Sequence, residues 1–200
     1  MNTPRPIRCA DVTAQPWRNG GGITRELLTW PPGPDWQLRL SVADIQADGP
    51  FSVFEGVQRW FVVLDGAGVE LRINGQPQRL TCTSAPLCFS GDVPTDCRLI
   101  DGPTRDLNLM LRGCAGGLAG VVPDKPWPGD AAACGLFTAT AGQCTVQRSH
   151  HAVAPMSLLW FDQPPGPLGF ASDDATQTRA WWIWAQLDHS ANPGSGAPSA

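Results

Sequence analysis

The sequence predicts an all-β sandwich or barrel. Three observations carry this: short runs in which apolar and polar residues alternate, no long segment of helical period, and 22 Gly with 20 Pro among 200 residues. That composition reads as many short strands joined by tight turns. With 42% hydrophobic residues the chain is not disordered. Its length suits one large domain or two small fused ones.

Taken in order, residues 23–30 alternate, with Thr24, Glu26, Leu28 and Trp30 on one face and Ile23, Arg25, Leu27 and Thr29 on the other. Pro31-Pro32-Gly33-Pro34 ends that strand. In 36–45, Trp36, Leu38, Leu40 and Val42 form an apolar face, opposite Gln37, Arg39, Ser41 and Ala43. Residues 59–64 and 69–73 follow, and Asn74-Gly75 is a strong hairpin signal. Further strands are predicted at 87–89, 97–100 and 107–111. In the second half they are predicted at 118–122, 135–139, 144–148, 157–161 and 180–187. Trp181-Trp182-Ile183-Trp184 is apolar on both faces, as suits a strand between two layers. Residues 114–117 and 123–130 read as loops, and 190–200 as a disordered tail. The layout divides into an N-terminal half at 1–113 and a C-terminal half at 114–189.

The net charge of −4 argues against a nucleic-acid binder, which would carry a basic patch. No apolar run approaches 18 residues, so no transmembrane helix is expected. The first residues lack the apolar core of a signal peptide, and the cytoplasm is the expected compartment. Seven cysteines, an odd number without a Cys-x-x-Cys, fit neither a disulfide framework nor a zinc site. Buried, reduced thiols are expected. A nucleophilic cysteine would need a nearby base, and none is singled out.

Chemistry concentrates in Trp17-Arg18-Asn19-Gly20-Gly21-Gly22-Ile23-Thr24-Arg25-Glu26. Three glycines in a row suit a backbone that turns through positive φ or is closely approached. Such a turn can be a plain strand connection or an anion-binding nest of free N–H groups. It is not a phosphate loop, because no Gly-Lys-Ser/Thr follows and no helix opens.

That stretch, with Leu27, resembles the opening motif of the HutD/Ves family. Three further blocks agree in order: Trp36-x-Leu38-Arg39-Leu40-Ser41-x-Ala43; Gly49-Pro50-Phe51-Ser52-x-Phe54-x-Gly56-x-x-Arg59; and Phe89-x-Gly91-Asp92 followed by Gly102-Pro103-x-Arg105-Asp106-Leu107-Asn108-x-Met110. The resemblance spans about residues 15–187. Leu107 stands where the family usually has Phe, which should be a core substitution. Trp60 stands where a smaller residue is common, which would reshape a pocket wall. The resemblance implies a cupin-like β-barrel or sandwich made of two fused halves. It also implies a role in restraining histidine use by binding a pathway intermediate such as N-formylglutamate or urocanate.

The residues are consistent with a metal-free site and no cofactor. A cupin metal site needs two or three His and a Glu converging. The three His are His150, His151 and His189, and none lies in 36–110. His150 and His151 are adjacent and point to opposite faces of a strand. Arginine is more telling: Lys125 is the only lysine, while Arg25, Arg39, Arg59 and Arg105 all lie in the blocks. Arg reads a carboxylate bidentately. The expected ligand-binding set is Asn19, Gly20, Gly21, Thr24, Arg25, Glu26, Arg39, Ser41, Arg59 and Asn108, with a small carboxylate as partner. An alternative is a small-molecule enzyme, an isomerase or hydrolase, using Glu26, Asp92 or Asp106. Against it, Asp92 and Asp106 would simply hold turns or pair with Arg59 and Arg105. Ser41 and Ser52 lack a His partner for a triad. A third reading, an interaction protein without ligand, would be favoured by exposed Trp on an edge strand. Cupins often pair through such edges, so a homodimer is a further expectation.

Overall fold

The computed structural model describes residues 4–174 and 176–186; His189 and the expected tail at 190–200 lie outside them. The expected all-β class is observed, with a single 3-10 turn at Cys9–Asp11 among the described residues. The first eleven strands are β1 (Arg5–Arg8), β2 (Gln15–Pro16), β3 (Gly22–Trp30), β4 (Leu38–Ile45), β5 (Gly49–Pro50), β6 (Val57–Asp65), β7 (Val69–Ile73), β8 (Gln76–Leu80), β9 (Leu87–Ser90), β10 (Thr95–Leu99) and β11 (Thr104–Arg112). Seven more follow: β12 (Ala115–Gly120), β13 (Ala133–Thr138), β14 (Gly142–Val146), β15 (Ser149–Val153), β16 (Ser157–Phe161), β17 (Leu168–Ser172) and β18 (Ala180–Gln186).

Four sheets result. A six-stranded sheet runs β2-β3-β4-β11-β6-β9 and a four-stranded one β5-β10-β7-β8; a five-stranded sheet runs β1-β16-β13-β18-β12 and a three-stranded one β15-β14-β17. Three cores stack them. Ile45, Phe61, Val63 and Phe89 of the six-stranded sheet meet Val69, Leu71 and Cys97 of the four-stranded one. On its other face, Leu38, Leu40, Val42, Leu107, Leu109 and Leu111 meet Phe137, Leu158, Trp160, Trp181 and Ile183 of the five-stranded sheet. That sheet turns Leu136, Leu159, Phe161 and Trp182 to Cys144, Val146 and Phe170 of the three-stranded one. The six- and five-stranded sheets are therefore apolar over much of both faces, and the alternation along β18 serves two cores at once. β1, from the start of the chain, pairs with β16 in the five-stranded sheet.

The hairpin signal is realised: Asn74 has φ 47° and Gly75 φ 80°, the two positive values a type I′ turn requires. Two expectations need correction. The expected loop at 114–117 lies largely within β12, which pairs with β18. Its glycines admit a close approach: a Cβ on Gly116 would lie 2.4 Å from the Trp184 carbonyl oxygen, and one on Gly117 2.8 Å from the Trp184 ring. In β3 a bulge shifts the register between Glu26 and Leu28, so Leu28 and Trp30 leave the face shared by Thr24 and Glu26. Leu27 and Leu28 then both enter the core between the six- and five-stranded sheets.

None of the seven cysteines forms a disulfide. Cys9, Cys97, Cys134 and Cys144 are buried as expected, whereas Cys88 is exposed. Burial pushes Cys9 up to about 11 and Cys97, Cys134 and Cys144 up to about 12, so none of these four is a thiolate near neutral pH.

Candidate functional site

Three consecutive rungs across the six-stranded sheet assemble the polar side chains. Arg39, Met110 and Arg59 form the first rung on β4, β11 and β6. Ser41, Asn108 and Phe61 form the second, extended by Glu26 on β3. Ala43, Asp106 and Val63 form the third, extended by Thr24. The two-residue period keeps all of them on the face turned to the four-stranded sheet, while Leu107, Leu109 and Leu111 point the other way.

Arg59 is the centre of this face. Its residue is 5% exposed. The guanidinium donates from Nη2 to Asn108 Oδ1 at 2.9 Å and from Nη1 to the Ser52 carbonyl at 3.5 Å. Its Cζ lies 4.9 Å from the ring centre of Phe51, 5.7 Å from Phe54 and 5.2 Å from Phe89, so three aromatic faces supply cation–π contacts. Nε has no partner among the described residues. Asn108 Nδ2 in turn donates to Asp106 Oδ2. Asp106 is fully buried, and its Oδ1 is unpaired among the described residues.

Burial pushes the Asp106 carboxyl up to about 8, against the opposing pull of the Asn108 hydrogen bond and the Arg59 charge. Burial also lowers Arg59, to about 10, with the Asp106 carboxylate opposing and Arg39 reinforcing the shift. Near pH 7 Asp106 is therefore neutral and Arg59 a cation. Arg39, at the more open end, donates from Nε to Glu26 Oε2 at 2.7 Å and from Nη1 to Met110 Sδ at 3.8 Å. With Arg39 paired to Glu26 and Asp106 neutral, the face keeps the positive charge of Arg59, held largely out of water.

The other expected site residues are placed differently. Arg25 lies on the opposite face of the sheet, opposite Val42 in register, and donates to Asp44 at 2.8 Å. Arg105 donates to the same carboxylate at 2.5 Å. Thr24 is on the site face, and its Oγ1 accepts from Trp17 Nε1 at 2.7 Å. The donors of the glycine turn are used within it: Gly20 N–H bonds the Trp17 carbonyl at 3.0 Å and Gly21 N–H bonds Asn19 Oδ1 at 3.0 Å. Gly20 has φ +72°, and a Cβ on Gly22 would lie 2.5 Å from the Asp44 carbonyl oxygen. The turn thus accounts for Gly20 and Gly22. Of the departures from the family pattern, Leu107 is a fully buried core residue. Trp60 packs into the core between the six- and five-stranded sheets, away from the site face.

Sequence reasoning left Phe51, Phe54, Phe89 and Met110 out of the site, and weighed Asp106 as a catalytic carboxylate or as a residue that holds a turn or pairs with an arginine. The signal for Asp106 and Met110 was present, since each lies two residues from Asn108 and shares its face. The carboxylates of the enzyme alternative sit in different settings. Glu26 is ion-paired, and Asp106 is enclosed. Asp92 is exposed, accepting from Gly56 N–H at 2.8 Å and the Ser90 hydroxyl at 2.7 Å. A divalent cation does not suit the donors on the site face, where two guanidinium groups, an amide and a thioether dominate. Among the described residues no group of three His, Cys, Asp or Glu side chains is placed to hold a metal ion. Two open clefts, of about 300 and 690 Å³, lie elsewhere. None of the nine Trp is exposed.

The HutD family model matches residues 9–179. A 21.2 kDa Pseudomonas putida protein from the hutC 3′ region is 41% identical over 114 residues, which cover 55% of this chain and 59% of that protein. The chain thus spans about three-fifths of that relative's length. Protein Ves of Citrobacter koseri is 31% identical over 180 residues, covering 78% of this chain and 92% of Ves. Among solved structures, HutD from Pseudomonas fluorescens SBW25, in a formate condition, superposes with a TM-score of 0.80 at 29% identity, covering 92% of this chain and 98% of that one. A cupin 2 conserved barrel protein from Leptotrichia buccalis, at 10% identity and a TM-score of 0.57, shares the fold over 93% of this chain and 98% of that one. The fold is cupin-like, and the chain belongs to the HutD family.

Proposed function

We propose that the protein binds a small carboxylate, of the N-formylglutamate or urocanate kind, against Arg59 and Arg39, and that this binding modulates histidine use. The observation that carries the reading is Arg59: a buried guanidinium whose side-chain hydrogen bonds go to a neutral amide and a backbone carbonyl. A desolvated cation interacts with an anion far more strongly than a hydrated one. Phe51, Phe54 and Phe89 suit the flat, apolar flank of such a ligand. The P. putida relative from the hutC 3′ region supports the link to histidine use. The reading is of a binding protein in the cytoplasm, built as two fused cupin-like halves at 1–113 and 114–189. Among the described residues no helix is long and apolar enough to cross a membrane.

Thermal unfolding with formate, urocanate, N-formylglutamate, glutamate and histidine tests this. A ligand at about 100 times its Kd adds about 2.7 kcal/mol to stability. The expected result is a selective rise in Tm with one of the first three, lost in Arg59→Ala and reduced in Arg39→Ala. A flat panel, or shifts unaffected by either substitution, would contradict the reading. Turnover of the ligand would redirect it to an enzyme.

A further inference from the structure

We propose that Asp106 is the positioning residue of this site: through Asn108 it fixes Arg59 for a carboxylate, and its protonation is coupled to carboxylate binding. The inference rests on carboxylate binding at Arg59. Hydrogen-bond polarity sets the chain of contacts. A guanidinium only donates, so Asn108 must present Oδ1 to Arg59. Its Nδ2 then faces Asp106, which must accept. One oxygen, Oδ2, suffices for that, and a neutral acid supplies it while carrying its proton on Oδ1. Asp106 therefore orients the amide without cancelling the Arg59 charge.

Ionised Asp106 would orient the same amide but place a buried negative charge beside Arg59. An anion at Asp106 and an anion at Arg59 then compete for one desolvated cation. Binding of a carboxylate must take up a proton when Asp106 is ionised, and raising the pH must weaken binding by the same coupling.

The charged and titratable neighbours are Arg59 on β6, Cys97 on β10 across the sandwich, and Asp44 on β4 behind the sheet, with the Arg39–Glu26 pair on β4 and β3 beyond Arg59. Arg59 at about 10 and Cys97 at about 12 lie above the window from pH 6.5 to 9. Asp44 lies below it, because hydrogen bonds from Arg105 and Arg25 outweigh its burial. Of these shifted groups Asp106, at about 8, alone changes charge within the window.

Isothermal titration of the full chain with formate and with N-formylglutamate, at pH 6.5 and 9 and in two buffers of different ionisation enthalpy, tests the coupling. The expected affinity is about fivefold weaker at the higher pH, which corresponds to a one-unit rise of the acid on binding. Proton uptake is expected near pH 8 and needs no variant. Asp106→Asn, which keeps an acceptor but carries no charge, should bind equally at pH 6.5 and 9, losing the pH slope of the wild type. Asp106→Leu should bind more weakly throughout, because Asn108 loses its acceptor. Equal wild-type affinity at both pH values without proton uptake would overturn the role of Asp106, as would an unchanged pH slope in Asp106→Asn. Absence of binding to either probe at any pH would instead overturn carboxylate binding itself, and this inference with it.

Discussion

Asp44 and Asp106 sit on neighbouring strands, one register step apart, on opposite faces of the same sheet. Asp44 keeps 17% of its side chain exposed and accepts from two guanidiniums, Arg25 and Arg105. Burial alone would raise its carboxyl, but the hydrogen bonds from Arg105 and Arg25 outweigh it and hold it below the ordinary value. Asp106 is fully enclosed and accepts from one neutral amide, so burial wins and the carboxyl rises to about 8. The arginines differ accordingly. Arg105 is 38% exposed and hydrated, whereas Arg59 is 5% exposed. What separates a structural ion pair from a ligand-ready cation here is the number of charged donors on the acid and the water left around the base.

The largest expected effect separates the two faces of β11. Leu107→Ala, on the core face, should lower stability by about 2–5 kcal/mol in urea unfolding. Formate affinity of the folded variant should change less than about threefold, because that face makes no contact with Arg59. A parallel loss of binding would mean that the faces are not independent. Next, Arg59→Met should weaken formate binding about 100-fold, or about 2.7 kcal/mol. Its stability should change by less than about 2 kcal/mol, because enclosing the cation is itself costly.

The two acids should also give stability profiles of opposite sign. Asp106 rises from 3.8 unfolded to about 8 folded, so its contribution is fully present below pH 3.8 and is lost as pH rises towards 8. The slope can reach at most about 1.4 kcal/mol per pH unit, and Asp106→Asn should remove it. Asp44, held below 3.8, contributes above that pH and loses its contribution as pH falls beneath it. The smallest effect is Asp44→Asn at pH 7, about 1 kcal/mol by chemical denaturation, since its partners are partly solvated. A pH profile of one sign for both variants would collapse the distinction.

The strands were legible where alternation, as in 69–73, or a short apolar run, as in 157–161, marked them. Residues 69–73 and 157–161 match β7 and β16 end to end, and Asn74-Gly75 turns as its residue types require. The start of β12, residues 115–117, was not legible, because it depends on the Trp184 ring and backbone of a strand some 70 residues on. Arg39, Ser41, Arg59 and Asn108 were legible as inward polar residues, since period two holds within each strand. Arg25 was not, because alternation alone does not tell which face of a strand meets which neighbouring sheet. The phenylalanines around Arg59 escaped notice because Phe51 and Phe54 sit outside regular strands, where no periodicity marks a face.

The central claim is that Arg59 carries the carboxylate. The direct measurement is the nitrogen-15 resonance of the Arg59 side-chain Nε–H, assigned by its loss in Arg59→Met, during titration with formate at pH 6.5. The account predicts a saturable shift of that resonance, with the Arg25 and Arg105 resonances unmoved. Saturable binding that moves Arg25 or Arg105 and leaves Arg59 unchanged would contradict it.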